Sequence, residues 1–67
     1  MKTIKDVVTE LKIREDVYKE SADLHLRLAK NAMKREALYE TREESEQASV
    51  YLERLRVVQE ILDFIEH

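Results

Sequence analysis

The sequence contains neither glycine nor proline in its 67 residues, and this absence restricts the folds open to it. Small β-proteins need several tight turns, which favour residues that accept a positive φ or the fixed φ of proline. The chain is instead rich in Glu, Leu, Lys, Arg and Ala, the strong helix formers. The sequence therefore predicts an all-α protein, and its length predicts a single helical domain, residues 1–67.

A first helix is predicted for residues 4–40. Its apolar residues recur at intervals of three, four and seven positions, as on one face of a helix. They are Ile4, Val8, Leu11, Tyr18, Ala22, Ala29 and Ala32. Thr3 and Asp6 have the spacing of an N-terminal capping box, so the helix is expected to begin directly after Thr3.

A second helix is predicted for residues 43–66, after a turn at residues 40–43. Residues 40–47 contain no apolar side chain, and a new apolar row begins after them. That row comprises Ala48, Tyr51, Leu52, Leu55, Val58, Leu62 and Ile65. Thr41 and Glu44 form a second possible capping box, placed where a new helix would begin.

The two apolar rows differ in phase, which disfavours one straight coiled coil through the whole chain. A single long helix of about 60 residues with a stutter is the alternative. Residues 1–39 carry nine Lys/Arg and seven Asp/Glu, whereas residues 40–67 carry three and eight. An antiparallel hairpin places these opposite net charges side by side, and we therefore favour the hairpin.

Two apolar surfaces are predicted to need a partner. With a turn near Arg42, facing residues have numbers that add to about 85, so residues 1–17 extend beyond the second helix. This predicted overhang carries Ile4, Val7, Val8 and Leu11. The alternative is a bend near residues 14–16 that folds residues 1–17 back as a separate short helix. The second helix has an additional apolar ridge, formed by Val50, Val57, Ile61 and Phe64. Because one neighbouring helix cannot cover so wide a face, we expect a homodimer that forms a helical bundle.

The composition gives no support to enzymatic chemistry. With no cysteine, the chain has no disulfide, thiolate zinc site or cysteine nucleophile, and with no glycine it has no Gly-rich phosphate loop. His25 lies on the apolar side of the first helix and is predicted to be a hydrogen-bonded interior residue. We expect no enzyme activity, no cofactor and no metal site. No apolar run approaches the ~20 residues of a membrane span, and no signal-peptide core follows Met1, so a cytoplasmic location is expected.

A cluster of basic residues in the first helix suggests an alternative function. Arg27, Lys30, Lys34 and Arg35 form a stripe that could follow a phosphate backbone. The net charge of the whole chain is −3, however, which disfavours nucleic acid as the partner. We expect these residues instead to form ion pairs with Glu46 and Glu53 across the hairpin.

In length and number of helices the chain resembles the small two-helix proteins that dimerise into bundles, including the Rop family of plasmid RNA-binding proteins, although it shares no motif with them. It also resembles the short hairpin co-chaperones of type III secretion in the aliphatic residues 57–65. The favoured function is a protein–protein interaction module, a small regulator, inhibitor or chaperone-like adaptor of bacterial or phage type. A nucleic-acid-binding bundle and a purely structural assembly subunit are the alternatives.

Overall fold

The computed structural model describes residues 1–66, which fold into two long antiparallel helices. Helix α1 spans Ile4–Lys34 and helix α2 spans Leu38–Glu66, with residues 35–37 between them. The hairpin measures 50 × 16 × 15 Å. The predicted all-α helical hairpin is confirmed, and the alternative of one long stuttered helix is wrong. Neither described helix is both long enough and apolar enough to cross a membrane.

Helix α1 begins where the sequence predicts, at a capping box. The Thr3 side chain accepts a hydrogen bond from the Asp6 N–H, and the Asp6 carboxylate accepts one from the Thr3 N–H, both at 3.2 Å. These two bonds satisfy backbone donors that the first turn of a helix leaves free. The acidic side chain of Asp6 also lies at the positive end of the helix dipole.

The turn lies about five residues earlier than predicted. Helix α1 ends at Lys34 rather than near residue 40, and α2 begins at Leu38 rather than near residue 43. The Glu36 N–H donates to the Met33 carbonyl at 3.0 Å, and the Ala37 N–H donates to the Ala32 carbonyl at 2.9 Å. This pair of bonds is a Schellman motif, which requires a left-handed residue after the helix. Glu36 provides it, with φ of 62°.

The predicted capping box of Thr41 and Glu44 lies inside α2 instead of preceding it. The Thr41 hydroxyl donates to the Ala37 carbonyl at 2.9 Å, one turn earlier in the chain, and Glu44 points towards α1. The polar residues 40–47 therefore belong to the first turns of a helix. The absence of apolar side chains from this stretch predicts a turn, but α2 continues through it.

The two helices are in register along their whole length, with facing residue numbers that add to 69. Tyr18 packs against Tyr51, and His25 contacts Glu44. The same relation joins Ile4 with Ile65, and Leu11 with Val58, which line common grooves. Because α2 runs beside α1 as far as Ile4, the predicted overhang of residues 1–17 is wrong, and so is the predicted sum of about 85.

The contact between the helices, which we call the seam, is narrow. Its side chains recur at alternating steps of three and four residues in both helices, as in an antiparallel coiled coil. The buried members are Ala22, Ala29, Ala32, Ala48, Val58 and Leu62. Four of these six are alanines, so the helices approach closely but bury little apolar surface. Most of the larger aliphatic side chains of the described residues remain exposed.

Candidate interaction surface

A polar layer interrupts the seam in the half nearer the turn. His25 Nδ1 lies 2.5 Å from Glu44 Oε2, and both side chains are about three-quarters buried. An ionised carboxylate has only acceptors, so the imidazole N–H donates in this pair. The His25 ring stacks on Tyr51 with 5.5 Å between ring centroids, and Tyr51 contacts Tyr18 at 6.2 Å. The prediction of a hydrogen-bonded interior histidine is confirmed, and the pair restricts the register because a shifted helix would separate the two groups.

A broad apolar surface lies on one side of the hairpin, and we call it the open face. Its apolar side chains form one row on each helix: Val7, Val17, Leu24 and Leu28 on α1, and Val50, Val57, Ile61 and Phe64 on α2. All eight are exposed or lie at the boundary of exposure, from 36% for Val7 to 85% for Phe64. Each row is rotated by roughly 110° from the seam of its own helix, at 100° per residue.

The two rows share one side because the helices run in opposite directions. On each helix, the row is rotated from the seam in the same sense about the helix axis. Because the helices are antiparallel, both rows therefore lie on the same side of the hairpin. The grooves between the helices agree with this placement. One groove, of about 410 Å³, lies between Val7 and Phe64. Another, of about 320 Å³, lies between Arg14 on α1 and Arg54, Val57 and Ile61 on α2.

The opposite side of the hairpin is much more polar. It carries charged side chains at about ten positions and large apolar side chains at four, namely Leu26, Met33, Leu38 and Leu52. Lys12 and Glu66 form an ion pair across the helices on this side, at 3.4 Å. The hairpin therefore has one apolar side and one charged side, in addition to the seam between its helices.

The structure divides the predicted interface residues between two places. Val7 lies on the open face together with Val50, Val57, Ile61 and Phe64, whereas Ile4, Val8 and Leu11 lie along the seam. Val8 and Leu11 are half-buried there, while Ile4 is 73% exposed at the end of the seam. Val17, Leu24 and Leu28 of α1 complete the open face, although they are not among the predicted interface residues. Their spacing of seven and four residues was the available signal, but the sequence of a helix with two apolar rows does not show which row the neighbouring helix covers.

The basic cluster lies on the exposed surface of α1 near the turn. Arg35 pairs with Glu40 at 2.6 Å. Glu46 and Glu53, the predicted partners across the hairpin, pair within α2 instead. Glu46 binds Arg42, and Glu53 binds Arg56 and raises the pKa of that guanidinium through a hydrogen bond and Coulombic attraction. The predicted ion pairs are therefore wrong: within residues 1–66, Arg27, Lys30 and Lys34 form no ion pair.

No group of three or more His, Asp or Glu side chains among the described residues could hold a metal ion. The fold, the alternating spacing of the seam and the register define the class of the protein as an antiparallel coiled-coil hairpin. No protein-family model matches the chain, and neither a curated protein nor a solved structure is significantly similar to it.

Proposed function

We propose that this protein is a non-enzymatic protein-interaction module that acts through its open face. The observation that carries the proposal is the size of the exposed apolar surface. Taking about 170 Å² for each fully exposed residue, the eight side chains expose on the order of 600 Å², at the upper end of what a typical monomer shows. A patch of this size beside a charged opposite side is typical of a binding surface.

The form of the open face indicates the kind of partner. Its rows are straight and parallel to the long axis of the hairpin, because they follow helices of 31 and 29 residues. The anchors Val57, Ile61 and Phe64 at i, i+4 and i+7 suit another helix laid into the groove. The role of a small regulator, inhibitor or chaperone-like adaptor fits a hairpin whose main surface feature is a long apolar face.

Site-specific photocrosslinking tests the proposal in cells of the native source. A photoreactive amino acid replaces Val57 on the open face, and a matched control replaces Gln59, an exposed residue that faces the charged side. We expect crosslinks to a polypeptide from position 57 and few or none from position 59. Equal yields from the two positions, or none from either, would contradict the proposal.

The alternative function is nucleic-acid binding through the basic cluster. Its support is that residues 24–35 contain four Lys/Arg and no Asp/Glu, with three of the four bases free of ion pairs within residues 1–66. The net charge of −3 opposes it. A charge-reversal experiment described in the Discussion separates the two functions.

A further inference from the structure

We infer that the open face is covered by a second copy of this chain, with the turns of both hairpins at the same end of a four-helix bundle. The inference rests on the proposed function, since it names the partner of the same surface. It is carried by the exposed area, by the distribution of apolar side chains along the open face, and by the charges of the two halves.

The exposed area matches what one subunit of a dimer buries. The chain exposes 5566 Å², whereas a compact monomer of the same mass exposes about 4,450 Å². The excess of about 1,100 Å² exceeds the roughly 800 Å² that each partner contributes to a standard interface. A second hairpin laid along the open face covers this excess with helices of the same length.

The apolar side chains determine which ends meet. Away from the turn, the open face carries Val7, Val57, Ile61 and Phe64. Towards the turn, α1 contributes Leu24 and Leu28, whereas α2 contributes only Glu40, Glu43 and Gln47. A copy with its turn at the same end places α1 beside α2 of the other copy, so that Val7 lies near Ile61 and Phe64. A copy with its turn at the opposite end places Phe64 and its neighbours beside carboxylates, which costs free energy when those groups lose water.

The charges favour the same arrangement. Residues 1–35 carry nine Lys/Arg and six Asp/Glu, whereas residues 36–66 carry three and nine. With both turns at one end, α1 of each copy lies beside α2 of the other, so a basic helix meets an acidic one. With the turns at opposite ends, α2 lies beside α2, and two acidic helices repel each other.

The first experiment measures the mass of the purified protein by sedimentation equilibrium. We expect a dimer for the native chain and loss of the dimer for Val57→Asp with Ile61→Asp. The control is Leu26→Asp with Leu52→Asp on the charged side, where the side chains are as exposed (41% and 45%) as those of Val57 and Ile61 (43% and 40%). If the first variant unfolds, the Tm of the native protein must rise with protein concentration. A native monomer, or a dimer that only the control disrupts, would overturn the inference.

The second experiment measures the arrangement. The chain has no cysteine, so Lys34→Cys carries a single spin label near the turn. With both turns at one end, we expect a label–label distance of about 20–35 Å, because bundled helices lie 8–10 Å apart. Turns at opposite ends would separate the labels by about 45 Å or more, the length of α1 at 1.5 Å per residue, and would overturn the arrangement.

The failure of this inference can be told apart from the failure of the proposed function. The photoreactive residue at position 57 is irradiated both in the purified protein and in cells. Crosslinks of the purified chain to itself support the second copy as occupant. Crosslinks that form only in cells, to a different polypeptide, overturn the second copy and leave the proposed function intact. Absence of crosslinks in both samples overturns both.

Discussion

Replacement of Glu36 by glycine should stabilise the hairpin, because Glu36 holds a left-handed conformation with φ of 62°. A residue with a Cβ loses about 1–2 kcal/mol in this conformation, and glycine loses none. Glycine also gives the unfolded chain more freedom, which offsets about 0.5–1 kcal/mol of the gain. We therefore expect the free energy of unfolding to rise by about 0.5–1 kcal/mol, which corresponds to a Tm increase of roughly 2–8 °C in a domain of this size.

The measurement is urea and thermal unfolding followed by circular dichroism at one protein concentration, since association makes apparent stability depend on concentration. Glu36→Ala is the matched control, because it removes the carboxylate and keeps the Cβ. If Glu36→Gly is no more stable than Glu36→Ala, the strain assigned to this residue is absent and the reasoning fails.

The same experiment locates the turn. Glu43 lies inside α2, so Glu43→Gly should be about 1 kcal/mol less stable than Glu43→Ala. A turn at residues 40–43 would reverse both results, with glycine tolerated at position 43 and unfavourable at position 36. Two glycine–alanine pairs therefore distinguish the observed turn from the one that the polar stretch suggests.

Three further predictions concern the seam and the basic cluster. His25→Leu combined with Glu44→Leu should be more stable than either single variant, with a coupling free energy of about 1–2 kcal/mol in a double-mutant cycle, since each single change leaves a largely buried polar group unpaired; a coupling below about 0.3 kcal/mol would contradict the pair. Ala22→Leu should destabilise the hairpin by about 1–3 kcal/mol in urea, because Ala22 is 1% exposed and has no room for a larger side chain; unchanged stability would mean that the helices do not approach closely there. Lys30→Glu with Lys34→Glu should weaken self-association only a few-fold and mainly at low salt, and an RNA or DNA gel shift of the native chain that this variant abolishes would establish nucleic-acid binding instead.

The helices were predictable because their periodic apolar residues specify them locally. Apart from Leu52, the row from Ala48 to Ile65 is the seam of α2, and the capping box at Thr3 is the beginning of α1. The turn was not predictable in the same way. A Schellman motif is normally recognised in a sequence by glycine at the left-handed position, but in this chain Glu36 occupies that position. The local preference of Glu opposes the observed turn, so packing of the two helices must select it.

The register shows how packing selects the turn. With residues 35–37 as the connection, facing numbers add to 69, and every seventh residue from Ile4 has a counterpart in the second half of the chain. His25 then meets Glu44, a polar residue against a polar residue. A turn at residues 40–43 leaves the apolar residues before Val17 without a neighbour from α2. The loss of those contacts exceeds the 1–2 kcal/mol that a left-handed glutamate costs.

The prediction of the exposed apolar surface was incomplete for a related reason. Val50, Val57, Ile61 and Phe64 were identified because α2 alone has more apolar surface than one neighbour can cover. Which apolar row of α1 remains exposed depends on the side of α1 that α2 covers. That side is determined by the register of the two helices. Because the predicted turn lies too late in the chain, the predicted register leaves seam residues such as Leu11 without a neighbour from α2. The prediction therefore places them at an external interface.

The alanines of the seam limit the stability that the hairpin gains from its own packing. Small side chains let the helices approach closely, but each buries little apolar area, and at about 25 cal/mol per Å² the seam supplies little free energy. A domain of this size buries a comparatively small fraction of its surface on folding, and four of the six buried seam residues are alanines. Covering the open face would bury the aliphatic side chains that the seam leaves in water. On this reasoning the hairpin becomes stable when its open face is occupied, so its Tm should depend on whatever binds there.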